Sequence, residues 1–149
     1  MLRAASFLLT FLLLSALSTA QNVFIYAPPP QSTFAPGESF VVDIDRPDTL
    51  TGSRDVSVAI GLLSCASRGA PAGTCDGIDS AWMMGDILYA GPYAPVAPTG
   101  GNANQNFTVT VPADFELGPA VLAVAHFTLV GELFWPSLEV LNETVYIQN

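Results

Sequence analysis

No lysine occurs anywhere in the 149-residue chain, and its basic side chains are four arginines set against 13 acidic residues. Nucleic acid is thereby excluded as a partner, because affinity for phosphate depends on clustered Lys and Arg. The formal net charge is −9, and removal of Arg3 with an N-terminal leader takes it to −10. A surface so acidic keeps a protein soluble and speeds its encounter with basic surfaces. Lysine's absence also removes the side-chain acceptor for ubiquitin.

Histidine is almost as scarce: His126 is the only one, amid Val124, Phe127 and Leu129. A catalytic histidine needs a nucleophile or carboxylate poised beside it, and no G-x-S-x-G or comparable element is present. The expected role of His126 is that of a hydrogen-bonded structural residue. No catalytic motif and no cofactor-binding motif can be found, so the chain is not expected to be an enzyme. Asp43, Asp45 and Asp48 offer hard oxygen ligands of the kind calcium takes, but Arg46 stands among them and would repel a cation. A solvated strand edge accounts for the same run, and no metal site is expected.

Long apolar runs are missing too. The stretch from Phe7 to Leu14 follows Arg3 and precedes the small residues Ser18, Thr19 and Ala20. It is too short to span a bilayer and has the form of a signal peptide, predicting a leader over 1–20 and a mature chain from Gln21. No later segment is suited to crossing a membrane, and the C-terminus lacks the tail of a lipid-anchor signal. The expected product is secreted.

Two cysteines, Cys65 and Cys75, are all the chain has. In an exported protein an isolated pair reads as one disulfide, closing CASRGAPAGTC and contributing on the order of 3 kcal/mol. A metal site is disfavoured, because no histidine lies near to complete the ligand set.

What remains is a succession of short alternating strands. Asn22 to Tyr26 is apolar, and Pro28, Pro29 and Pro30 then interrupt it. After the Pro36-Gly37 turn, Phe40, Val42 and Ile44 alternate with polar neighbours. Asp55 to Leu62 repeats the pattern, with Val56, Val58, Ile60 and Leu62 inward and Asp55, Ser57, Ala59 and Gly61 outward. Met83 to Tyr89 forms a fourth strand before the Pro- and Gly-rich connection AGPYAPVAPTGGNANQN. Phe107, Val109 and Val111 face inward, which turns Asn106 of the sequon Asn106-Phe107-Thr108 to solvent. Val121 to Val130 is apolar on both faces. In the last strand Leu141, Val145 and Ile147 alternate with Asn142 and Thr144, presenting a second sequon, Asn142-Glu143-Thr144. About seven strands and no amphipathic helix predict an all-β antiparallel sandwich, immunoglobulin-like or fibronectin-type, filling 21–149 as one domain.

Aromatic residues are the remaining currency of binding. Trp82, Tyr89, Tyr93, Phe134 and Trp135 fall at strand ends or in loops, where they can anchor a protein interface or stack on sugars. Core or edge packing is the expectation for Trp82. Trp135, placed on a turn by Pro136, is the better candidate for an interface.

Taken in order, PGESFVVDI (36–44), DVSVAIGL (55–62), LYAGPY (88–93), NFTVTVPADFELG (106–118) and AVAHFTLVG (123–131) resemble the necrosis-inducing secreted protein family of fungal effectors. GLLSCASRGAPAGTCDGIDSAWMM departs from that resemblance as an insertion holding the only cysteine pair. The resemblance implies a small secreted fungal protein that suppresses plant pattern-triggered immunity by binding and inhibiting receptor-like kinases and receptor-like cytoplasmic kinases. Some members also provoke cell death. Such an activity implies passage into the host cytoplasm. Tyr93 and Trp135, with the loop from Ala90 to Gln105, are the expected partner-binding elements. An extracellular module that binds cell-wall polysaccharide, or a structural wall protein, is the alternative.

Overall fold

A computed structural model of the chain describes residues 22–49 and 52–149; the leader expected over 1–20 lies outside the described residues. Among the described residues eight strands are formed: β1 (Phe24–Ala27), β2 (Thr33–Phe34), β3 (Ser39–Arg46), β4 (Ser53–Ser64), β5 (Asp86–Pro92), β6 (Ala103–Thr110), β7 (Gly118–Val130) and β8 (Trp135–Ile147). They build two sheets, ordered β1-β3-β6 and β2-β8-β7-β4-β5. The all-β sandwich expected from the alternation is what the chain adopts, with the two-residue β2 as an addition. The proline segment 28–30 explains that addition. It ends pairing of β1 with β3, and the chain resumes as β2 beside β8 in the other sheet.

The core lies between the sheets. Phe40, Val42 and Ile44 of β3 and Phe107 and Val109 of β6 face Val58, Ile60 and Leu62 of β4, Leu122 and Val124 of β7, and Val145 and Ile147 of β8. Burying each such aliphatic side chain contributes about 1.5–3 kcal/mol. A second apolar cluster occupies the outer face of the larger sheet, where Leu63, Val121 and Ala123 lie under Ala70, Ile78 and Met84 and beside the Cys65–Cys75 disulfide. The double-sided hydrophobicity of β7 thus has a local cause. Its even positions from Ala120 to Val124 serve the sandwich, while Val121 and Ala123 lie beneath the disulfide-bearing connection.

Two register details depart from the alternation read in the sequence. Between Asp55 and Ser57 the pairing of β4 with β7 shifts by one residue, leaving Val56 unpaired. This bulge turns Val56 outward, at 38% exposure, and brings Asp55 to the core face, the reverse of the expected pattern. The fourth expected strand, Met83 to Tyr89, begins later, at Asp86. Met84 lies over Gly61, and Gly85 turns the chain with φ +71° before pairing starts.

Among the described residues no helix is long and apolar enough to cross a membrane. The disulfide is compatible with an oxidising, extracellular compartment.

Candidate functional site

One end of the sandwich gathers the connections β3–β4, β5–β6 and β7–β8. Strand register places them there: Arg46 pairs with Ala103, Ser57 with Pro92, and Ser53 and Trp135 both pair with Val130. The opposite end carries the disulfide, tied in by the hydrogen bond from the Cys65 N–H to the Pro119 carbonyl.

Beneath the three connections lies a buried ionic network centred on His126, which is 1% exposed. Its Nε2 lies 3.0 Å from Asp55 Oδ1 and its Nδ1 lies 2.9 Å from Glu139 Oε1. An ionised carboxylate only accepts, so making both bonds at once requires a proton on each ring nitrogen, the imidazolium form. Burial by itself would lower the histidine pKa, but hydrogen bonds to Asp55 and Glu139, with their charges, outweigh it and raise the value above 6.5. Asp55 is bracketed on its other side by Arg46, with Nε 3.3 Å from Oδ2. Glu139 Oε1 also accepts from the Val23 N–H at 3.0 Å. Arg46, Asp55, His126 and Glu139 together tie β3, β4, β7, β8 and the residue ahead of β1.

The bulge at Val56 makes this network possible, since without it Asp55 would face solvent. Tyr93 completes it. Its ring meets His126 edge-on at 5.3 Å, and its hydroxyl donates to the Ile44 carbonyl at 2.9 Å. At 2% exposure Tyr93 is an anchor for the base of the β5–β6 loop, which corrects the expectation of a partner-contacting residue. Burial, reinforced by the charge of Asp55, pushes its hydroxyl pKa well up. Both ring nitrogens of His126 are thus engaged by carboxylates within the fold.

Nearby, Asp43 and Asp45 each leave one buried oxygen without a hydrogen-bond partner. Burial and the neighbouring Asp45 raise the Asp43 pKa. Among the described residues no three His, Cys, Asp or Glu side chains form a group able to hold a metal ion.

Four residue pairs along β7 and β8 from the His126–Glu139 pair, the β7–β8 turn presents consecutive large apolar side chains: Leu133 is 95% exposed, Phe134 54% and Trp135 75%. The turn is braced by the Gly131 N–H donating to the Gly52 carbonyl and the Phe134 N–H donating to the Gly131 carbonyl. Phe134 adopts φ +54°, a left-handed conformation that costs a non-glycine residue about 1–2 kcal/mol. A shallow depression lined by Arg54, Leu129, Glu132 and Phe134 adjoins the turn. Leu138 extends the apolar surface along β8. Trp135 is thus exposed as expected, at the first position of β8. Leu133 and Leu138 join it without having been expected there, although an apolar run Leu133-Phe134-Trp135 directly after the polar Gly131-Glu132 turn is a readable signal.

Trp82 departs from expectation in the other direction. It is 84% exposed on the β4–β5 connection rather than packed. Both sequon asparagines are exposed, Asn106 on β6 opposite Asp43 and Asn142 on β8 opposite Ala123.

A family model described as the Nis1 family matches residues 18–146. No curated protein matches the chain.

Proposed function

The chain belongs to the Nis1 family, and from that premise we propose that it is a secreted, non-catalytic fungal effector that suppresses plant pattern-triggered immunity. On this reading it binds the kinase domains that serve immune receptors and inhibits them by occupying a surface needed for substrate docking or activation-loop movement. The observation that carries the proposal is the exposed Leu133-Phe134-Trp135 turn, braced through its backbone against Gly52. Clustered large apolar side chains, a tryptophan among them, presented at the surface have the composition of an interface hot spot. Acidic residues elsewhere on the chain would speed encounter with a basic kinase surface.

The test is a binding titration of residues 21–149 against the purified kinase domain of a plant immune co-receptor, with autophosphorylation followed in the same samples. The proposal expects micromolar or tighter binding, about −8 kcal/mol or better, with phosphorylation falling in step. Absence of binding, together with retention of the protein on insoluble glucan or chitin, would replace it with a wall-polysaccharide module.

A further inference from the structure

Trp82, the most exposed aromatic side chain among the described residues, has no role in the loop end that carries Trp135. It lies on the disulfide-bearing β4–β5 connection, in a tight turn. The Trp82 N–H donates to the Asp79 carbonyl at 3.3 Å, and the Ala81 N–H donates to Asp79 Oδ1 at 2.9 Å. Ser80 in the same turn is 3% exposed, and its Oγ accepts from Asn142 Nδ2 at 2.9 Å. Asn142 begins the sequon Asn142-Glu143-Thr144, and its side chain is on the outer face of β8. The nitrogen that an N-linked sugar would occupy therefore touches the turn that holds an unpacked indole two residues further on. Two residues of chain span at most about 7 Å, within reach of the first sugar ring.

We propose that Asn142 carries an N-linked glycan whose innermost N-acetylglucosamine stacks on Trp82, so that the glycan fastens the β4–β5 connection to β8. This rests on the secreted reading but not on the kinase reading. Transfer forms a bond between Nδ2 and C1 of the sugar as the C1–O bond to a lipid-diphosphate donor breaks, and Nδ2 gives up one proton. The second N–H remains and can still donate to Ser80. One face of the sugar ring carries C–H groups polarised by neighbouring oxygens, which suit the electron-rich face of an indole. The site also leaves the loop end open. Asn142 lies seven residue steps along β8 from Trp135, about 24 Å at the rise of a strand.

The experiment expresses the full chain in a glycosylating secretion host and combines intact mass with thermal melts of four forms: wild type, Thr144→Ala, Trp82→Ser and the double variant. Thr144→Ala abolishes the sequon while leaving Asn142 and its bond to Ser80 in place, and Asn142→Gln serves as a second route if it folds poorly. Asn142 is expected to be modified. Its glycan is expected to raise the melting temperature by about 3 °C when Trp82 is present, and to give no such increment in the Trp82→Ser background. An unmodified Asn142, or an equal increment in both backgrounds, overturns the proposal. Neither result bears on kinase binding.

Discussion

Replacing His126 by glutamine tests the ionic base most sharply. Glutamine keeps one donor and loses the charge, so Asp55 is left with Arg46 and Glu139 with the Val23 N–H. Breaking a buried ion pair from one side costs about 3–5 kcal/mol. The retained Arg46 and the partial exposure of Glu139, at 19%, place the expected loss near the lower limit, about 3 kcal/mol. For a domain of this size that corresponds to a fall in melting temperature of about 10 °C. The assay is a series of thermal melts of wild type and His126→Gln from pH 5 to pH 9, followed by near-ultraviolet circular dichroism. The pKa of His126 is raised in the fold from its ordinary 6.5. Its stabilising contribution is therefore fully present below pH 6.5 and is lost as pH rises through the folded value. Taking the difference between the two proteins removes the titration of other groups, Asp43 and Glu143 among them. The gap is expected to be widest in acid and to narrow in alkali. A gap that is absent at pH 5.5, or that widens with pH, would refute the assignment of a doubly hydrogen-bonded imidazolium.

Glu143 faces the sandwich interior from β8 with Oε1 unpartnered, and burial pushes its pKa from 4.5 up to about 7. Its fold-stabilising protonation is complete below pH 4.5 and lost as pH rises through about 7. After allowance for solvent screening, Glu143→Gln should stabilise the protein by about 1 kcal/mol at pH 8 and leave it unchanged at pH 4, in denaturant titrations at the two pH values. Gly61→Ala would drive a Cβ into the Met84 backbone carbonyl on the underside of the β4–β5 connection. A loss of about 1–3 kcal/mol is expected, together with faster amide exchange across residues 78–85.

Much of the fold is legible because the sheets obey a two-residue period. Phe40, Val42, Ile44, Phe107 and Val109 all face the core as their alternation requires. The bulge at Val56 is not legible, because one extra residue in a strand leaves no mark on composition while reversing the faces of Asp55 and Val56. With Asp55 assigned to solvent, the partner of His126 cannot be recognised. Glu139 is more accessible to inspection, since it shares the core-facing parity of Leu141, Val145 and Ile147. Tyr93 escapes local pattern for a related reason. Its loop is rich in Pro and Gly, yet the hydroxyl reaches back to Ile44 across the sandwich, a long-range contact that no neighbouring residue betrays. Trp82 defies its expected packing because the β4–β5 connection covers the sheet with Ala70, Ile78 and Met84 and leaves the indole outside.

The central claim is that the Leu133-Phe134-Trp135 turn is where a kinase domain binds. Its most direct test is the affinity of the Leu133→Ser/Trp135→Ala variant for the same co-receptor kinase domain, measured beside wild type with the melting temperature of each. Both side chains are largely solvent-exposed, so stability should be unchanged. A central hot spot removed at about 2 kcal/mol or more weakens binding roughly 30-fold, and that loss with an unaltered melt is the expected result. Wild-type affinity in the variant would contradict the claim.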